Sequence, residues 1–345
     1  MAHFSVLGIA LALLPINAAY SSGGCWKTLE PIPVAPRQEH SVVGLSDSKL
    51  AILGGITSSV ADFNTTSLFQ IYDIPSNTWT TAADAPVRVN HPNVAAVDGK
   101  VYLLGGLSPS TDGAWTAFPE SWMYDPITNV WKEISPMPPG QARGSATMGV
   151  NGKKIYLAGG VTKLVPAIDG EQDTVGFVTA FDTESLSWYT LPSAAKDLPN
   201  GRDHAGGSVF DDKFYVIGGR ENGQHNLKDT VFVLDLNNLE GGWCTKDKRM
   251  PTARAGIVTG TVNGKVYVFG GEGNPAAGSN GVFNQTEVFD TKKESWEQLA
   301  PMHLPRHGGG AVAIGSGIYV PGGGLQEGGR PDSTLDVFQP TDSFL

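Results

Sequence analysis

"GKVYLLGG" (residues 99–106) reads as a short apolar strand closed by a glycine pair, and "GKKIYLAGG" (152–160), "DKFYVIGG" (212–219) and "GKVYVFGG" (264–271) repeat it. Glycine pairs that end an apolar run begin at Gly54, Gly105, Gly159, Gly218, Gly270 and Gly322, at intervals of 51, 54, 59, 52 and 52 residues. A period near 50 marks an array of units that bury their apolar faces against one another. Three positions before each pair stand Ala51, Tyr102, Tyr156, Tyr215, Tyr267 and Tyr319, the same face of the same strand in every unit.

A variable loop follows each pair, then a second strand ending in an apolar–acid pair: Tyr72-Asp73, Tyr124-Asp125, Phe181-Asp182, Leu234-Asp235 and Phe289-Asp290, with Phe338-Gln339 as the exception. Next comes a tryptophan, at Trp79, Trp131, Trp188, Trp243 and Trp296. The last unit has none, but "CWKTLEPIP" (25–33) resembles "SWEQLAPM" (295–302), so Trp26 is expected to supply the missing outer strand and close a ring without free edges. Double glycine, Tyr/Phe-Asp and spaced tryptophan together resemble the kelch repeat over essentially the whole chain after residue 19. The resemblance implies an all-β fold, a six-bladed β-propeller of four-stranded antiparallel blades, with residues 20–345 as a single domain.

With 44 glycines and 23 prolines in 345 residues, 40% hydrophobic and 17% charged, the chain has the composition of a turn-rich fold with a large core. Its net charge of −10 argues against nucleic acid or an anionic membrane as partner. Residues 1–19, with the apolar stretch Val6–Leu14 and small residues at Ala18 and Ala19, read as a secretory signal too short to span a bilayer. Sequons at Asn64 and Asn284 agree with export and glycosylation. Cys25 and Cys244 fall on outer strands two blades apart, roughly 30 Å by strand spacing, against the ~7 Å limit of a disulfide, so both thiols are expected free. A closed ring leaves no edge for β-pairing, and a monomer is expected.

Function is sought where the units differ. Arginine recurs sixteen or seventeen residues before each pair, at Arg37, Arg88, Arg143, Arg202, Arg254 and Arg306. If these six ring one mouth of the channel, they form an anion or carbonyl site aimed at a carboxylate or enolate; the competing reading makes them structural. Fourteen residues before the pair stand His40, His91, Ser145, His204, Gly256 and Gly308, and one step nearer the arginine Glu39, Asn90, Gly144, Asp203, Ala255 and His307. Glu39 and Asp203 are candidate general bases, with His40 and His204 as partners and His91 and His307 beside them. No short metal-ligand motif such as HExxH is present, and neither metal nor cofactor is expected. After the pair, Arg220 and Glu272 are charged where three other units are aliphatic. Trp115 and Phe118 lie outside the repeat on a long loop, with Phe63 one unit earlier, and suggest ligand contact.

The resemblance extends to secreted or periplasmic kelch enzymes, the sialic acid mutarotase and the galactose-oxidase propeller among them, and to stand-alone propellers of microbial secondary metabolism. No motif matches the oxidase's cross-linked tyrosine–cysteine or its copper ligands, so copper-radical chemistry is not implied. The reading is a secreted propeller with a small-molecule site at one channel mouth, its chemistry, if catalytic, a non-redox isomerisation or cyclisation. The alternatives are a non-catalytic protein- or glycan-binding propeller and a structural wall component.

Overall fold

The computed structural model describes residues 23–58, 63–167 and 169–341. The expected signal segment lies outside them. Each repeat folds as an antiparallel meander. Ser41–Ser46, Lys49–Leu53, Phe69–Asp73 and Thr78–Thr81 pair in that order, and the same path recurs from Gly206–Phe210 to Trp243–Thr245 and from Val258–Val262 to Ser295–Leu299. Two further meanders, Val94–Val97 to Val130–Ile134 and Thr147–Asn151 to Ser187–Tyr189, join in one eight-stranded sheet. They join because their long inner hairpins meet at Lys163↔Thr116 and Leu164↔Trp115.

The last sheet takes three strands from the C-terminus, Val312–Ile314, Gly317–Pro321 and Leu335–Pro340, and its outer strand, Gly24–Leu29, from the N-terminus, with Trp26 opposite Phe338. The molecule is a β-propeller of four-stranded antiparallel blades, closed as the sequence led one to expect. The tryptophans show the closure bond by bond. Each indole N–H donates to a carbonyl of the preceding unit: Trp79 to Glu30, Trp131 to Ala83, Trp188 to Ser135, Trp243 to Ala195 and Trp296 to Lys248. Trp26 donates to Ala300, 274 residues ahead, and so fills the place the last unit left empty.

The core lies between blades. Tyr156, Val178 and Ala180 of one pack on Phe214, Val216 and Phe232 of the next. The acid of each Tyr/Phe-Asp pair accepts N–H groups of its outer turn, Asp182 from Glu184 and Ser185 and Asp290 from Lys292 and Lys293, which explains an acid at that position. The second glycine of most pairs cements neighbours, since the N–H groups of Gly160, Gly219, Gly271 and Gly323 donate to the carbonyls of Arg202, Arg254, Arg306 and Arg37 in the next unit. A Cβ on the first glycine of a pair would stand 2.2 Å from the Arg202 carbonyl at Gly159 and 2.2 Å from the Arg306 carbonyl at Gly270, at φ of +64° and +58°. Cys25 and Cys244 are exposed and unpaired. No helix among the described residues is long and apolar enough to cross a membrane.

Candidate functional site

At the same place before the inner strand of every repeat the chain turns into the left-handed region: Glu39 (φ 51°), His91 (49°), Ser145 (52°), His204 (51°), Gly256 (61°) and Gly308 (57°). These six form a hydrogen-bonded circle. The N–H of His91 donates to Glu39, Ser145 to His91, Gly256 to His204, Gly308 to Gly256 and Glu39 to Gly308, while His204 donates to the Ser145 hydroxyl. Left-handed φ at four non-glycine residues is locally unfavourable, and the circle holds their side chains together at one place.

This ring corrects the sequence alignment of the first repeat. The residue before each ring member bridges to the residue after the glycine pair: Gln38↔Ile56, Asn90↔Leu107, Gly144↔Val161, Asp203↔Arg220, Ala255↔Glu272 and His307↔Gly324. The first interval is one residue longer because the strand pair Ser41–Ser46/Lys49–Leu53 has an irregularity between Gly44 and Ser46 that leaves Leu45 unpaired. Counting back from Gly54 therefore misplaced Glu39 by one. Glu39, not His40, shares the axial position with His91 and His204. His40 points away, its Nε2 on the Pro321 carbonyl at 3.0 Å, and burial, reinforced by Arg37, drives its pKa down to about 3.

The arginine ring is not at the channel mouth. Arg37, Arg143, Arg202, Arg254 and Arg306 are buried inside the blades. Arg143 donates to the carbonyls of Gly159, Leu157 and Gln141 and lies 4.5 Å from the Phe177 ring centre. Arg254 donates to Gly270 and Thr252 and to Glu287 at 2.6 Å. Arg306 reaches Asp336 and Val320, Arg37 reaches Leu68 and Gln70, and Arg202 reaches Gly201 and Thr230. In the second repeat Val89 takes this buried place and Arg88 falls one residue outside it, on the Asn64 side chain and Thr65 carbonyl. These guanidiniums pin strand-end carbonyls, and none lines the axial cavity.

That cavity measures about 920 Å³. One wall is apolar: Trp115 and Leu164 pack on Ile56, Leu107 and Val161, with Phe63 edge-on to Trp115 at 5.4 Å. The long inner hairpin of the third unit supplies Leu164, Val165 and Pro166. Phe118 is not part of this wall; it pairs across the hairpin with Gly106 and faces Trp122 on the other side.

The opposite side is polar and buried. His91 Nε2 lies 3.1 Å from Glu39 Oε2 and 3.0 Å from His204 Nε2, and His204 Nε2 lies 4.0 Å from the same Glu39 oxygen. Asp203, itself without exposure, holds His204 Nδ1 at 2.5 Å and Arg220 Nε at 3.1 Å. It orients these two and does not reach the cavity. Arg220 also meets Glu272 at 2.6 Å and His204 Nε2 at 3.1 Å. His307 has its Nδ1 3.3 Å from Glu272 and 3.6 Å from Glu39, with Nε2 on the Gln326 carbonyl at 2.8 Å.

Burial would raise the Glu272 and Asp203 carboxyls, but the neighbouring imidazoles and Arg220 outweigh it and hold both below the carboxylate range. Burial, with His204 and Arg220 close by, pushes His91 well below the ordinary imidazole value, so its ring is neutral at neutral pH. Burial and Glu272 push the Glu327 carboxyl up.

Sequence reasoning missed Gln38, hidden by the one-residue misalignment of the first repeat, and Gln172, Gln326 and Glu327, which line the cavity from hairpins with no repeat signature. Of the sequons, Asn64 is exposed and hydrogen-bonded to Thr57, and Asn284 is half-buried.

The model of the KLHDC2/KLHL20/DRC7 Kelch-repeats domain matches residues 22–196 and 167–343. The chain belongs to the kelch-repeat β-propeller family. It is 37% identical over 322 residues to Kelch-like protein terF of Aspergillus terreus, covering 92% of this chain and 68% of that protein. Beta-scruin of Limulus polyphemus is 24% identical over 86% of this chain, and human Kelch-like protein 15 is 27% identical over 72%; this kelch chain spans only 32% and 41% of their lengths. The solved structure of YjhT superposes with a TM-score of 0.70 at 18% identity over 89% of this chain and 95% of its own, a likeness of fold.

Proposed function

We propose that residues 20–345 form an exported, single-domain, six-bladed kelch propeller that binds a small metabolite in its axial cavity and catalyses a non-redox isomerisation or cyclisation. The six left-handed ring residues and the six tryptophan–carbonyl bonds support the blade count. The likeness to the fungal Kelch-like protein terF supports a setting in secondary metabolism.

The observation that carries the functional reading is the cavity's two-sided lining: Trp115 and Leu164 face Glu39, His91, His204 and Arg220. Several buried acceptors of the polar side have no hydrogen-bond partner, namely Oε1 of Gln38, Gln172 and Glu327. Unmet buried acceptors favour a ligand that brings hydroxyl or amine donors. Glu39, Glu272 and Glu327 outnumber the two arginines of the lining, Arg220, itself shared between Asp203 and Glu272, and the exposed Arg330, so the lining disfavours the carboxylate that an arginine ring would have welcomed. A neutral, hydroxylated aromatic or terpenoid metabolite satisfies both walls. The Glu39/His91/His204 side then stands where a proton leaves or joins an activated carbon or hydroxyl, with Arg220 beside the developing charge.

Thermal-shift and calorimetric titration with phenolic polyketides, hydroxylated terpenoids and carboxylated sugars, on wild type and Trp115→Ala, test the binding step. Stabilisation by the neutral hydroxylated compounds, lost in Trp115→Ala, is expected; a response confined to carboxylates, or one indifferent to Trp115, overturns it. Turnover is read as solvent deuterium entering the bound compound by NMR, and a ligand that binds without exchange or rearrangement reduces the protein to a binding module.

A further inference from the structure

Three side chains from three different blades bring lone pairs to one point at the cavity floor. Asn90 turns its carbonyl to His91 Nδ1 at 2.7 Å and its amide to Thr65, so the His91 proton sits on Nδ1 and Nε2 is the free donor atom. Asp203 does the same for His204 through Nδ1 at 2.5 Å. The two Nε2 atoms and Glu39 Oε2 form a triangle with sides of 3.0, 3.1 and 4.0 Å. The circle through its corners has a radius of about 2.0 Å, the length of a Zn–N or Zn–O bond.

We infer that Glu39, His91 and His204 bind a divalent first-row transition ion, with its remaining coordination positions open to the cavity. Two imidazoles and one carboxylate are a donor set for such ions and not for magnesium or calcium. Asp203 and Asn90 behind the two rings fix tautomer and orientation, as outer partners do at metal sites.

Charge supplies a second argument. Glu39, Asp203 and Glu272 cluster around the single guanidinium of Arg220, all at least nine-tenths buried as side chains. The three carboxylates outnumber the Arg220 guanidinium, with the His307 ring nitrogen 3.3 Å from Glu272 and 3.6 Å from Glu39 beside them, and a dication at the triangle adds positive charge where they crowd. Arg220 Nη2, 3.1 Å from His204 Nε2, is the competitor for that lone pair, and the guanidinium stays anchored through Nε to Asp203 and Nη1 to Glu272 when the ion takes the nitrogen. No short motif announced the site because its ligands are 52 and 113 residues apart in the chain and meet only on the axis.

The test uses the full chain stripped with chelator and titrated with Co²⁺, followed by visible absorption and calorimetry, with Zn²⁺ as displacing ion. One equivalent is expected, with binding weakened at least 100-fold in Glu39→Gln and in His91→Gln and unchanged in Arg88→Ala, which lies outside the cavity. Arg220→Lys should bind no more weakly than wild type. Absence of Co²⁺ uptake at millimolar concentration, or uptake indifferent to Glu39 and His91, overturns the inference. Should the ligand variants fail to fold, anomalous scattering from Co²⁺-soaked wild-type crystals decides, since an ion found only elsewhere, as at the exposed His225–Asp169 pair, is equally fatal.

The inference shares its site with the proposed function but not its fate. Metabolite binding by chelator-treated protein that takes up no metal refutes the ion alone, and metal uptake without any metabolite refutes the ligand reading alone.

Discussion

Replacing Arg254 by methionine should cost far more stability than replacing both Arg254 and Glu287. The pair meets at 2.6 Å with neither side chain exposed, and Arg254 also holds the carbonyls of Gly270 and Thr252. Arg254→Met nearly conserves volume but leaves the Glu287 carboxylate buried with only the Thr252 hydroxyl at 2.7 Å. An uncompensated buried charge of this kind costs about 3–5 kcal/mol. In the Arg254→Met/Glu287→Met double variant the charge is gone and only the backbone carbonyls remain unmet, at about 1–3 kcal/mol. At about 2.1 cal/mol/K per residue, a ring of this length has a melting entropy of about 0.7 kcal/mol/K. The single variant should then melt roughly 4–7 °C below wild type and the double roughly 1–4 °C below, a clear positive coupling in a double-mutant cycle. Differential scanning calorimetry on the four proteins measures it. A single variant that melts with wild type would show that the arginine is not built into the blade. A double variant less stable than the single would show that the charge pair is not what the arginine supports.

Trp26→Ala should lower the melting point by several degrees, about 3 kcal/mol, because it removes the indole bond to Ala300 and ring contacts to Phe269 and Phe338 at 5.1 Å each. It should also open the Gly24–Leu29 strand to proteolysis, and a variant as stable and resistant as wild type contradicts closure at that strand. His40 gives an acid limb to the stability curve. Its pKa of about 3 in the fold lies below the 6.5 of the unfolded chain, with Arg37 and Arg306 as the charged groups facing it. The unfolded state therefore binds the extra proton between those values, so stability is full above pH 6.5 and falls by up to about 1.4 kcal/mol per pH unit below it. His40→Gln should flatten that limb in urea titrations at pH 4 to 7, and an unchanged slope assigns the acid sensitivity elsewhere.

Repetition made the ring legible. A glycine that must lie within van der Waals reach of the next blade, an aspartate that must cap a turn and a tryptophan that must donate to its neighbour each leave the same letter every fifty residues. Trp26 was readable for the same reason, since its surroundings repeat those of Trp296. The arginines show the limit of this method. A residue repeated in nearly every blade was performing what every blade needs, bonding to strand-end carbonyls, whereas the cavity is built from positions where the blades differ. Spacing also failed at Glu39 and His40, because one unpaired residue at Leu45 shifts the first blade by one place and periodicity carries no sign of it. Trp115 and the Arg220–Glu272 pair were found as departures from the repeat, and both face the cavity or its floor. Phe118, equally a departure, does not, because successive strand residues point to opposite faces.

The sequence by itself determined the repeat, its closure and the two unpaired thiols through local pattern and strand spacing, and the propeller through the family resemblance that the repeat carries. Only the tertiary structure decided which polar groups meet. Glu39, His91 and His204 are remote in the chain, and they converge because the left-handed residue of each blade lies on the axis, where all blades come within hydrogen-bond distance of one another.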